Sequence, residues 1–206
     1  MNVSLLGQGP IREHVEAGLA ALGIKPAPIW VGADILISAC YRRIVSRREL
    51  DRHKVCVNVH PSPLPAYRGC NPINWMVLEG ARYAGVTIHR MVEKVDAGDI
   101  LLQSIWPIKP GTTAQRLMTR AAYEAEDLIQ IAYHQLCDGT ATWTPQDESK
   151  ATYRGKRTPD MGRITDDMSV EQIDRLVRAV GKPWPGAFLE RGGKRYIIWE
   201  GEPCES

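Results

Sequence analysis

The chain has 206 residues, 44% of them apolar and 24% charged, with a formal charge of +2, enough for one good core or one core with a small appendage. That near-neutral balance gives no long-range field for capturing nucleic acid, and no apolar run approaches the ~20 residues a membrane helix needs. The N-terminus lacks a signal-peptide pattern, and the five cysteines (40, 56, 70, 137, 204) are odd in number, widely spaced and without a CxxC; we expect reduced thiols in a cytoplasmic protein, with no disulfide framework and no metal site.

"NVSLL" (2–6) predicts a short strand ending at Gly7, and "PIREHVEAGLAALG" predicts a helix with Pro10 in its first turn and Gly23 past its end. The glycines of "GQGP" invite a dinucleotide-binding reading. Position 12 is Arg, however, and no acidic residue follows a second strand at the right distance, so a tight turn is the better reading and NAD is not expected. "ADILISA" (33–39) and "KVCVNVH" (54–60) are apolar enough to be strands buried on both faces. "NPINWMVLEG" (71–80) predicts a short helix closed by Gly80, and "GVTIHRMV" (85–92) and "DILLQSIWPI" (99–108) predict two more strands. The longest helix is expected over 112–139, capped by Thr112 or Thr113 and ended by Gly139. Alternating strands and helices argue for an α/β sheet with helices on both sides.

Past Gly139 the sequence becomes polar and aperiodic, and 141–165 reads as an extended connector. "SVEQIDRLVRAVG" (169–181) is a capped helix, and 185–202 reads as a hairpin turning at Gly192-Gly193. A boundary near residue 150 divides a core over 1–150 from an extension over 151–206, which holds too little core to stand alone and is expected to pack on the first part.

Two constellations carry chemistry. In "NVHPSPLPAYRG", Asn58 and His60 project from one strand face. They lie at the C-terminal end of an expected parallel strand, where open α/β sheets place ligands. Pro61, Pro63 and Pro65 then stiffen a loop that cannot join the sheet. In "VEKVDAGDI", Asp96 and Asp99 bracket Ala97-Gly98, which is also a common turn composition.

Taken together, N-x-H-P-S-x-L-P-x-Y-R-G, a short helix ending in Gly, G-V-T-I-H and V-D-A-G-D-I resemble the 10-formyltetrahydrofolate-dependent formyltransferases. "YRGKRTPDMGRIT" and "VRAVGKPWPGAF" extend the likeness past the core, toward methionyl-tRNA formyltransferase and, more closely, sugar N-formyltransferases such as the aminoarabinose-modifying domain. The resemblance implies an abbreviated Rossmann-like open, mostly parallel sheet with flanking helices, plus a small C-terminal helix and β-hairpin appendage. It maps the family's catalytic Asn, His and Asp onto Asn58, His60 and Asp96. The implied reaction moves the formyl group of N10-formyltetrahydrofolate, a cosubstrate, onto a primary amine, without a metal.

Those residue types suit acyl transfer. An amide N–H on Asn58 can donate to the developing oxyanion. His60 titrates near working pH and can move the proton. Asp96 orients His60 or shuttles protons through water. Tyr41, Arg42 and Ile44 are expected on the folate side, and Ser62, Tyr67 and Arg68 on the acceptor side, with Arg68 either pairing an anion or bracing the loop. His89 is expected to be structural. The acceptor is expected to be a nucleotide-linked amino sugar, with no nucleic acid and no membrane as partner and a homodimer left open. Hydroxyornithine, an aminoacyl carrier, methionyl-tRNA and water (a formyltetrahydrofolate hydrolase) are the alternatives.

Overall fold

β1 (Val3–Gly7) is buried along nearly its whole length and turns through Gly9 into α1 (Pro10–Ala21), with Pro10 at its first position. β2 (Ile35–Ala39), the four-residue α2 (Arg47–Leu50) and β3 (Val55–His60) follow. A two-residue β4 (Arg68–Gly69), α3 (Pro72–Leu78), β5 (Tyr83–Arg90), β6 (Ile100–Pro107) and the 25-residue α4 (Ala114–Asp138) complete the first part. Beyond it lie β7 (Tyr153–Arg154), α5 (Val170–Val180), β8 (Ala187–Arg191) and β9 (Lys194–Ile198). These come from a computed structural model that describes residues 1–27, 32–201 and 203–204.

The helix ends follow the local chemistry. Thr113 caps α4 by accepting from the Arg116 N–H, and Gly139 ends it in the left-handed region at φ 70°. Ser169 and Gln172 form a reciprocal capping box on α5.

Five strands form one open sheet in the order β1-β2-β3-β5-β6. β1, β2 and β3 are parallel, β5 runs opposite to both of its neighbours, and β6 points the same way as β3. The mostly parallel sheet expected from sequence is the one observed, with β5 alone reversed. Residues 91–99 contain no helix, and a connection without a crossover joins antiparallel neighbours.

The two sheet faces are covered unequally. Val3, Leu5, Ile35, Ile37, Val57 and Val59 face the main core, together with α1, α3, α4 and α5. There α1 meets α4 so closely that a Cβ on Gly18 would lie 2.6 Å from the Glu126 carbonyl oxygen. Leu176, Val177 and Val180 of α5 join this same core, and the Asn74 amide of α3 donates to the Ala179 carbonyl at 2.7 Å. The opposite face presents Leu6, Leu36 and Cys56, which among the described residues pack with Leu50 of α2 and with Tyr41, Val45 and Met91. By strand alternation Asn58 and His60 share this thinly covered face with Cys56.

The polar connector does more than span a gap. β7 pairs in parallel with β4, matching Arg68 with Tyr153 and Gly69 with Arg154. It thereby closes the wall beside the proline-rich loop.

Candidate active site

Asn58 and His60 end β3, and Asp96 sits in the turn after β5 in the left-handed region at φ 53°. Their side chains converge. Asn58 Nδ2 donates to Asp96 Oδ1 at 3.3 Å, and His60 Nδ1 lies 3.5 Å from Asp96 Oδ2. The Gly69 N–H of β4 donates to the same Oδ2 at 2.8 Å. His60 is 5% exposed and Asn58 and Asp96 are partly buried, so each interaction is felt more strongly than in water.

Hydrogen-bond partners assign the imidazole. His60 Nε2 is 2.9 Å from the Tyr67 carbonyl and carries the proton donated there. Tyr67 has φ 62°, and this left-handed turn aims its carbonyl at the ring. Nδ1 is then the unprotonated nitrogen, turned toward Asp96 at a distance too long for a good hydrogen bond. Burial pushes His60 below the ordinary imidazole range, with Asp96 opposing that shift. Burial also works to raise Asp96, but His60, His89 and the Gly69 N–H outweigh it and hold the carboxyl well below its usual range. At neutral pH the charge rests on Asp96 and the ring is neutral. A proton arriving at Nδ1 forms an imidazolium against a waiting carboxylate.

His89 belongs to this cluster, which the sequence reading missed. It stands opposite Asn58 in the β3–β5 register. Its Nδ1–H donates to the Arg90 carbonyl at 2.9 Å, so Nε2 is free to accept from Asn58 Nδ2 at 3.1 Å. Both N–H groups of Asn58 are therefore engaged, through bonds at the long end of the normal range. For Asn58 to serve an oxyanion, one of them must be released. His89 is 2% exposed. A histidine in a buried strand needs a partner, and that rule was the available signal for His89.

Two residues expected on the acceptor side lie inside the protein. Ser62 is fully buried, and its hydroxyl donates to the Ala66 carbonyl at 2.8 Å, within its own loop. Arg68 is also fully buried. Its guanidinium donates to Gln146 at 2.8 and 3.1 Å, to Glu148 at 2.6 Å and to the Tyr153 hydroxyl at 2.7 Å. Of its two readings, the brace is the one built here. Tyr67 is half-buried beneath the Arg154 guanidinium, which lies 5.5 Å from the ring centre. Burial and the neighbouring Glu79 push its hydroxyl up to about 12.

On the other flank, Tyr41, Arg43, Ile44 and Val45 line a cavity of about 110 Å³ whose floor includes Leu6 and Leu36. Ile44 is 81% exposed at its rim. Arg42 is not among the lining residues. With the Gln8 amide oriented to satisfy both groups, its oxygen accepts from Arg42 Nε and Nη2, each at 3.0 Å. That tethers Arg42 to the turn before α1, and the arginines lining the cavity are Arg43 and Arg52. Among the described residues there is no group of three metal-ligating side chains and no helix long and apolar enough to cross a membrane.

The fold has close relatives among solved structures. HypX from Aquifex aeolicus, in complex with tetrahydrofolic acid, superposes with a TM-score of 0.80 at 19% identity, covering 97% of this chain and 37% of that one. The chain thus spans well under half of HypX. A sugar N-formyltransferase from a Shewanella species gives a TM-score of 0.79 at 19% identity, covering 100% of this chain and 99% of the other. Methionyl-tRNA formyltransferase from Clostridium thermocellum gives 0.75 at 18% identity, with 95% and 90% covered. At such identities the likeness speaks for the fold. The family models add the sequence: "Formyl transferase" matches residues 29–132 and "Formyl transferase, C-terminal domain" matches 156–206. The convergence of Asn58, His60 and Asp96 therefore occurs in a chain that belongs to the formyl transferase family.

Proposed function

We propose that this chain transfers the formyl group of N10-formyltetrahydrofolate to the primary amine of a small acceptor, a nucleotide-linked amino sugar before any other. The observation that carries the reading is the buried meeting of Asn58, His60 and Asp96 at the end of β3. The amine nitrogen attacks the formyl carbon and forms a tetrahedral intermediate. An Asn58 N–H, released from its long bond to Asp96, donates to the oxyanion. His60 Nδ1 accepts the proton shed by the amine, and Asp96 stabilises the resulting imidazolium. Collapse breaks the bond from carbon to N10, and the same proton can pass to that departing nitrogen.

We assign the donor's pterin to the cavity beside Tyr41, Ile44 and Val45, whose floor is apolar and whose lining also carries Arg43, Arg52, His53 and Glu49. HypX, whose structure holds tetrahydrofolic acid, shares this fold. The amino-sugar assignment is supported by the sugar N-formyltransferase that matches end to end in both chains.

The test is incubation with 10-formyltetrahydrofolate and a panel of nucleotide-linked amino sugars, read by mass spectrometry. We expect one acceptor to gain a single formyl group. Folate turnover that needs no amine would identify a hydrolase instead. Product only from hydroxyornithine or an aminoacyl carrier would overturn the sugar assignment and keep the chemistry.

A further inference from the structure

We propose that Gln146 is a positioning residue that holds Asp96 in its working orientation; the inference rests on the formyl-transfer reading above. Gln146 lies between the two stretches matched by the family models, which end at 132 and resume at 156. Its amide makes four hydrogen bonds. Nε2 donates to the backbone carbonyls of Asp96 at 2.8 Å and Gly98 at 2.7 Å. Oε1 accepts from Arg68 Nε at 3.1 Å and Nη2 at 2.8 Å. An amide with both donors and its acceptor committed has one orientation and cannot flip.

Asp96 needs such a hold. Its φ of 53° costs a non-glycine residue about 1–2 kcal/mol, and the turn it occupies belongs to no ladder. The turn is also tight, because a Cβ on Gly98 would lie 2.0 Å from the Arg90 carbonyl oxygen. Gln146 takes the two carbonyls of this turn, while the Gly69 N–H takes the carboxylate. Arg68 explains both contacts. It precedes Gly69 in β4, and its buried guanidinium fixes Gln146, with Tyr153 and Glu148 holding its other edges. One clamp thus sets the backbone and the side chain of Asp96 together. The four bonds of Gln146 go to Asp96, Gly98 and Arg68 and none to Asn58 or His60, so its effect passes through Asp96.

Glutamate at this position separates positioning from bulk structure. A Gln146→Glu side chain keeps the length and can still accept from Arg68, but it has no N–H to give to the Asp96 and Gly98 carbonyls. We expect Q146E and Q146A to melt cooperatively and to lose about ten- to a hundredfold in kcat, as sub-ångström displacement of a reacting constellation does, with KM for donor and acceptor largely unchanged. A second readout needs no substrate: the ring titration of His60, followed by ¹⁵N NMR. The titratable groups facing His60 are Asp96 and His89. Displacing Asp96 removes the influence that raises His60, so the midpoint should fall in both variants. Wild-type kcat in folded Q146E, or an unmoved His60 midpoint, overturns the proposal. So does failure of both variants to fold, which would make Gln146 a simple support of the structure. If the wild type formylates no amine, the functional reading fails, and the His60 titration still decides the positioning role.

Discussion

Asp96→Asn is expected to reduce formyl transfer by about three to four orders of magnitude, the scale seen when the carboxylate behind a catalytic imidazole is neutralised. Asp96 accepts on both oxygens, from the Gly69 N–H at 2.8 Å and from Asn58 at 3.3 Å. An asparagine can accept on only one, so its NH2 must face another donor. The imidazolium formed at His60 Nδ1 also loses the carboxylate 3.5 Å away. The pH profile should move with the rate. His60 is depressed by burial and partly restored by Asp96, so in D96N the acid limb shifts to lower pH. Stability has its own sign. A carboxyl whose folded pKa is depressed stabilises the fold above its ordinary unfolded value, and that contribution fades as pH falls toward the depressed one. D96N should therefore melt lower than wild type at neutral pH and approach it in acid. A D96N enzyme within a few-fold of wild-type kcat would remove Asp96 from the mechanism.

Gly7→Ala is expected to cost about 2–5 kcal/mol of stability, combining backbone strain with overpacking. Gly7 pairs with Ala39 in the β1–β2 ladder, and a Cβ there would lie 1.7 Å from the Ala39 carbonyl oxygen at φ 129°. No side-chain rotation relieves a clash between two backbones, so the strands must separate. Gly9→Ala is the control. It also has positive φ, 76°, but a Cβ there meets nothing within 4 Å, so only the left-handed strain of about 1–2 kcal/mol applies. Urea unfolding should place G7A well below G9A; equal midpoints would show that the turn yields and the close approach is unimportant.

What could be read from the residues was what local pattern controls. Period-two alternation put Asn58 and His60 on one face, and cap chemistry placed the ends of α4 and α5. The reversal of β5 was not legible, because strand direction depends on how a connection packs and not on the strand's own composition. Arg68 and Ser62 looked available because both sit in a polar loop. Their burial depends on Gln146, Glu148 and Tyr153, roughly eighty residues later, and on the loop folding back upon itself. His89 shows the converse limit: its alternation was visible, but its partner across the β3–β5 ladder was not.

The pairing of β4 with β7 involves two residues on each side, yet it carries the Gly69 N–H that meets Asp96 and the Arg68 side chain that fixes Gln146. So short a ladder is among the first to open in the fluctuations of a native protein, at a free energy far below global unfolding. The geometry of the proposed site is thus tied to a unit expected to be among the least protected of the fold, with the sheet and α4 expected among the most protected. Mild urea should abolish turnover before the far-ultraviolet helix signal changes, and the amides of Arg68 and Cys70, bonded to Thr152 and Arg154 at 2.8 and 2.9 Å, should exchange with deuterium sooner than those of β2. A ligand that bridges the proline-rich loop and the connector would slow that exchange, and the protection of two amides would report its binding.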